Sequence, residues 1–275
     1  MSEIQIRPGA PIAPSRPGER AHGYGPRVHL HEDPWMLGLL AKLSAQETVA
    51  PVLQMLVRES YTLLFGRAAE RCLRPSEARL PTRMSATHPE DGYFEGQVPD
   101  PTQNVVVVDV IRAGIVPGQT IYELLSLVLP TGQLRLDHVN MARREGADGH
   151  VEGVDLSGSK VGGTIDGSTL IVPDPMGATG STVVTLLEHY SRNHGTPERV
   201  VLLPLVATPE YLRAVLALGD QVEVHVGRLD RGLSPKDVLE SPPGARWAEE
   251  RGLDDHDYVV PGCGGMGEVL NNSWC

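Results

Sequence analysis

Four short apolar runs constrain this chain more than anything else in it: "NVVVVDVI" (104–111), "STLIVP" (168–173), "RVVLLPLVA" (199–207) and "VEVHVG" (222–227). The first is β-branched without the in/out alternation of a half-solvated strand, which is the pattern of a strand buried on both faces. Helical segments lie between the runs. "GSTVVTLLEHYSRNHG" (180–195) puts Val183, Leu186, Leu187 and Tyr190 on one face and ends at Gly195. "TPEYLRAVLALG" (208–219) opens with Thr208 as cap and Pro209 at the first position. Residues 120–129 read as a further helix and 133–142 as a further strand. Strands alternating with helices predict an α/β fold, a mostly parallel sheet flanked by helices. Of the 275 residues, 40% are hydrophobic, enough for one sizeable core.

Two helices precede this alternation, over residues 35–73, the second opening near Pro51 with Thr48 as a nearby cap. Residues 74–102 read as loop with a short strand. Residues 143–167, rich in Gly, Asp and Glu, predict a flexible exposed arm. Residues 1–27 carry five prolines, at 8, 11, 14, 17 and 26, and form a tail ahead of one domain over 28–275, in which 234–256 is an insertion.

A formal charge of −11 gives no global field for nucleic acid or an anionic membrane, and neither is expected as a partner. No apolar run approaches the ~18 residues of a membrane span. Cys72, Cys263 and Cys275 are odd in number and far apart, which fits a reducing cytoplasm better than a disulfide framework. His29 and His31 share strand spacing, but no neighbouring carboxylate or cysteine completes a metal site, and none is assigned. Asp137 and His138 alternate faces of a strand and read as structural.

The chemistry concentrates in "LIVPDPMGATGST" (170–182). A buried strand ends in a carboxylate, Asp174, followed by a proline and a turn of small residues and hydroxyls. Such a turn lets the backbone approach an anion, and free amides at the following helix start favour negative charge. It lacks the lysine of a Walker loop and the GxGxxG spacing. A second anchor, "DVIRAG" (109–114), sets Arg112 directly after a buried strand, at the carboxyl edge of the sheet where ligands bind.

Together these motifs resemble the uracil phosphoribosyltransferase family of type I phosphoribosyltransferases. "DPMGATGST" is similar to that family's phosphoribosyl pyrophosphate loop, with Asp-Pro in place of paired acidic residues. "IRAG" resembles its pyrophosphate-side loop, "YVVPGCGGMG" its base-binding segment and "LVRESYTLLFGRAAERCL" its N-terminal helix, and "PLVATPE" also matches in position. The resemblance covers roughly 28–230 and 257–270. It implies that Ala178, Thr179, Gly180, Ser181 and Thr182 hold the 5-phosphate, within a donor loop that includes Pro175, Met176 and Gly177. Asp174 would meet the ribose hydroxyls. Arg112, Ala113 and Gly114 would face the pyrophosphate, and Arg143, in "HVNMARRE", would help cover it beneath a lid. Magnesium is the implied cofactor, with no metal ligand assigned, and a cytoplasmic homo-oligomer the implied assembly.

At the acceptor end, Val259, Gly264, Gly265 and Glu268 are the candidate contacts, and this is where the sequence departs from the family. Gly265 stands where the family has an acidic residue, and Val269 where an arginine usually follows. The family's early arginine motif, near 38–48, is represented only by Lys42. Uracil is therefore the acceptor by resemblance, in nucleotide salvage. A modified base or an amine of specialised metabolism, such as an aminoglycoside-type intermediate, is the rival, and a non-catalytic sensor of the donor is a second.

Overall fold

The computed structural model describes residues 18–145, 151–155 and 158–273, and in 142–145 and 151–155 the backbone alone. The first half contains β1 (Val28–Leu30), α1 (Pro34–Ser44), α2 (Val52–Cys72), β2 (Pro75–Pro81), β3 (Tyr93–Pro99), β4 (Val105–Ile111), α3 (Ile115–Ser126) and β5 (Leu134–Asn140). The arm carries β6 (Ala142–Glu145) and β7 (Val151–Asp155). Then come β8 (Thr169–Val172), β9 (Met176–Gly177), α4 (Ser181–Asn193), β10 (Arg199–Leu202), β11 (Val206–Ala207) and α5 (Pro209–Leu216). The last are β12 (Val222–Val226), β13 (Arg228–Leu229), α6 (Lys236–Leu239) and α7 (Met266–Val269).

The main sheet has six strands in the order β1-β12-β10-β8-β4-β5, and every neighbouring pair is parallel. Successive residues of its central strands feed opposite faces, so both sets must be apolar. Val106, Val108, Leu170, Val172, Val200 and Leu202 pack with Val183, Leu186 and Tyr190 of α4. Val105, Val107, Ile171 and Val201 pack instead with residues of α1, α2 and α3, including Leu40, Leu64 and Ile121. The α/β expectation is met.

Helix α2 buries Leu53, Val57, Tyr61, Leu64, Ala68 and Cys72, spaced three or four apart. Pro51 precedes it, but Thr48 does not cap it. Its hydroxyl donates to the Lys42 carbonyl 2.7 Å away, closing the turn after α1 instead. Helix α1 is capped by Asp33, which accepts from the Trp35 and Met36 amides. Helix α3 starts at Ile115, five residues before the expected start, because a β-branched pair and Pro117 obscure its first turn. Segment 74–102 is a full antiparallel hairpin of β2 and β3, whose mostly exposed residues leave no apolar alternation to read.

Beyond the main sheet, β8, β10 and β12 each break and resume as β9, β11 and β13, paired in parallel as β13-β11-β9. Pro173, Pro175 and Pro204 cannot donate to a ladder. At Gly227 a Cβ would come within 2.7 Å of the Leu205 carbonyl oxygen. The bend thus has a covalent cause, and it carries three strand ends to one side of the fold.

The region 231–250 wraps a buried guanidinium. Arg231 donates to Glu250 at 2.8 Å and to the carbonyls of Val238, Leu239 and Ser241. Gly23 and Tyr24, grouped by sequence with the proline-rich tail, pack here as well. Tyr24 is buried, its hydroxyl donates to Glu250, and the Gly23 amide bonds the Pro243 carbonyl at 2.7 Å.

At the β1–β12 edge one face changes character. Val28, Leu30, Val222, Val224 and Val226 enter a hydrophobic cluster, whereas the alternate residues His29, His31, Glu223 and His225 point the other way. The three histidines are buried. Burial above all pushes His31 down to about 2 and lowers His225 in the same sense.

Candidate functional site

The broken strands place Asp174 between β8 and β9, where it is half-buried and, among the described residues, its carboxylate accepts a long 3.4 Å contact from the Met176 amide. Burial pushes this carboxyl up to about 6, with the Met176 amide opposing. Tyr61 and Tyr211 stand close enough for Asp174 to raise their phenols further, beyond what burial does. At neutral pH Asp174 is therefore mostly an anion with few protein partners.

The loop that follows is pressed against α5. A Cβ at Gly177 would come within 3.0 Å of the Tyr211 ring, and one at Gly180, whose φ is +82°, within 2.9 Å of the Ala214 methyl. Only glycine fits at 180. Thr208 ties the two segments together. Its hydroxyl donates to the Ala178 carbonyl at 2.7 Å and accepts from the Tyr211 amide at 3.0 Å, and its amide bonds the Gly177 carbonyl. The back of the loop is thus committed to protein. Its front carries the Thr179 and Ser181 hydroxyls, 2.9 Å apart, and the start of α4. Gly180 offers that helix no side-chain cap, and its first carbonyl bond is from the Val184 amide. Of the preceding amides, that of Ser181 donates to the Thr179 hydroxyl at 3.2 Å, and those of Thr182 and Val183 fall in the first turn, whose amides have no intrahelical acceptor and suit an anion.

Arg112 follows β4 after a cis Ile111–Arg112 peptide. The adjacent turn is tight. A Cβ at Gly114 would lie 2.5 Å from the Val110 amide nitrogen, and one at Gly118 would lie 2.7 Å from Asp109 Cβ. The guanidinium reaches the C-terminal segment, donating to the Ser273 carbonyl at 2.9 Å and to Glu268 at 3.1 Å. Glu268, an acceptor candidate by sequence, therefore pairs with the donor-side arginine. Arg143 belongs to β6, and its side chain lies outside the described residues.

The segment 259–265 is held from below by Arg228. That guanidinium makes a two-pronged pair with Asp230 (2.6 and 2.7 Å), donates to Ser44 at 3.0 Å and to the Gly262 carbonyl at 3.1 Å. Asp230 in turn accepts from the Gly262 amide at 2.7 Å. Val259 is buried, Gly262 and Gly264 have positive φ, and Gly265 is the N-cap of α7. Cys263 touches Ser44 and Arg228, and burial raises its thiol.

Sequence reasoning missed two features, one that crosses strands and one local. His138 pairs with Asp109 at 2.6 Å, its direct neighbour in the β4–β5 register. Arg228 and Asp230 carried no motif, although their i, i+2 spacing on a strand end was a usable signal.

The sequence profile of a family described as uracil phosphoribosyltransferase matches residues 30–243. The chain belongs to the uracil phosphoribosyltransferase family. A uracil phosphoribosyltransferase from Thermococcus sibiricus is 27% identical over 174 residues, which are 63% of this chain and 62% of that protein. The chain thus spans less than two thirds of that relative. A uracil phosphoribosyltransferase from Thermosipho africanus is 26% identical over 244 residues, 89% of this chain and 98% of the relative. Among solved structures, the AQ2163 protein from Aquifex aeolicus superposes with a TM-score of 0.64 at 22% identity, covering 88% of this chain and 97% of that one. The uracil phosphoribosyltransferase match includes Arg112 and the whole 174–182 loop, and ends before the 259–268 segment. The residues expected from sequence to bind the donor therefore lie inside the family match, and those expected to bind the acceptor lie outside it.

Proposed function

We propose that this protein transfers a 5-phosphoribosyl group from phosphoribosyl pyrophosphate to a nitrogen acceptor and releases pyrophosphate. The observation that carries the reading is the Asp174–Thr182 loop, a half-buried carboxylate followed by a turn whose back is bonded to protein and whose helix start has no side-chain cap, beside two hydroxyls that bond each other. The 5-phosphate would lie against Ala178, Thr179, Gly180, Ser181 and Thr182. Asp174 would accept hydrogen bonds from the ribose 2- and 3-hydroxyls, which suits an anion short of protein donors.

In the transfer the acceptor nitrogen forms a bond to C1 of the ribose while the C1–oxygen bond to pyrophosphate breaks. Charge builds on the leaving oxygens, and Arg112, with Arg143 on the arm, would stabilise it. The ribosyl carbon gains oxocarbenium character, which rewards exclusion of water by the arm. Asp174 also suits magnesium, an oxygen-seeking cation that takes one or two carboxylates together with substrate phosphates. Bound with the donor, magnesium would supply further charge neutralisation on the departing pyrophosphate.

Uracil is the acceptor by family, read by backbone groups of Val259, Gly264 and Gly265. A second reading, a different base or an amine, is favoured by one observation: Gly265 leaves the start of α7 without a carboxylate, and the nearby Glu268 is engaged with Arg112. The deciding experiment incubates the protein with phosphoribosyl pyrophosphate, magnesium and a panel of bases and amines, and follows pyrophosphate and the product mass. Uridine monophosphate supports the first reading and another phosphoribosylated product the second. Donor binding without any product would make the protein a sensor, and absence of donor binding would overturn the proposal.

A further inference from the structure

The buried edge between β1 and β12 assembles a ligand set that no linear motif announces. Strand register puts His29 beside His225, and Glu223 shares their face. His29 Nε2 lies 2.9 Å and His225 Nε2 lies 3.3 Å from the same Glu223 oxygen, and one ligand atom from each of the three residues falls within 4.8 Å of the others. Tetrahedral zinc, with metal–ligand bonds near 2.0–2.2 Å, separates its ligand atoms by about 3.3 Å, so small shifts admit a cation.

Two independent features point to a ligand. First, His225 is 0% exposed, yet among the described residues its Nε2 has no well-aligned hydrogen-bond partner, although a Glu223 oxygen stands 3.3 Å away. A purely structural pair would be expected to align its hydrogen bond, since an unsatisfied buried polar atom costs roughly 1–3 kcal/mol. Second, the other nitrogen of His225 is held by a hydrogen bond, while that of His29 faces a carboxylate beyond hydrogen-bond distance. His225 Nδ1 lies 3.0 Å from His31 Nε2. His29 Nδ1 faces Glu19 at 3.8 Å, and Arg71 holds Glu19 at 3.0 Å. Metal-binding histidines are fixed in this way, with the far nitrogen held so that the near one aims at the ion.

We propose that His29, Glu223 and His225 bind one dication of the zinc class, which ties edge strand β1 to β12. Two imidazoles and one carboxylate suit zinc, nickel or cobalt better than magnesium. A fourth position remains for water. Glu223, at 19% side-chain exposure, marks the route of entry. The bond would hold an edge of only three strand residues in place.

The test uses tag-free full-length protein, stripped with a chelator and kept in excess magnesium so that oxygen-only sites are occupied. Cobalt(II) is titrated in while visible d–d absorption and calorimetry are followed. The expected result is saturation at about one cobalt per chain, displaceable by zinc, with affinity lowered on the order of 100-fold in His29→Gln and Glu223→Gln and 10- to 100-fold in His31→Gln. No saturable cobalt spectrum in the wild type overturns the proposal, as does unchanged affinity in folded variants. Should a ligand variant not fold, His31→Gln and the wild-type stoichiometry still decide.

Discussion

Asp174→Asn should make the fold more stable at neutral pH while removing most activity. Burial raises this carboxyl from the ordinary 3.8 to about 6. An acid whose folded value lies above its unfolded value costs nothing while both states are protonated, below about pH 3.8. The penalty grows as pH rises through the interval and is constant above about pH 6. At about 1.36 kcal/mol per tenfold change in proton affinity, the interval corresponds to about 3 kcal/mol, an upper figure because the residue keeps some contact with solvent. Asn keeps the shape and the Met176 contact but carries no charge. Urea unfolding of both proteins without donor, at pH 4 and pH 8, reads the difference directly. The variant should gain about 1–3 kcal/mol over wild type at pH 8 and little at pH 4. An equal or smaller advantage at pH 8 than at pH 4 would refute the claim that the fold carries an under-solvated anion here. Turnover should fall ~100-fold or more if that anion orients the ribose, and near-normal turnover would reject the role.

Glu268→Gln should lower the donor KM about two- to fivefold, because a half-exposed pair worth at most ~1 kcal/mol no longer holds Arg112; an unchanged or higher KM in initial-rate assays would contradict this. Gly265→Asp places a carboxylate where a Cβ already comes within 2.6 Å of Glu268, so it should loosen the same pair and raise uracil use, measured as kcat/KM for uracil against the panel. Glu250→Ala leaves Arg231 buried without its counter-charge and Tyr24 without its acceptor, and should cost about 3–5 kcal/mol by denaturant unfolding.

Much of the fold was readable because its signals are local. The four apolar runs became β4, β8, β10 and β12, and Thr208, Pro209 and Gly195 mark helix ends as their chemistry requires. The hairpin over 75–99 escaped notice because it is solvent-facing on most positions and has no apolar period. The 174–182 loop was legible because close approach demands small residues, and small residues are visible in sequence. Arg112 was placed correctly after its strand, but its engagement with Glu268 and Ser273 depends on a segment over 150 residues away.

The sequence alone determined which segments are buried on both faces and where the chain must bend, since apolar runs, prolines and glycines act on their own backbone. Tertiary structure decided which distant side chains share a site. It brought Glu223 and His225 to His29, Asp109 to His138, and the C-terminal turn to Arg112, because strand order and register are set by the whole packing of the sheet and leave no trace in any one stretch of residues.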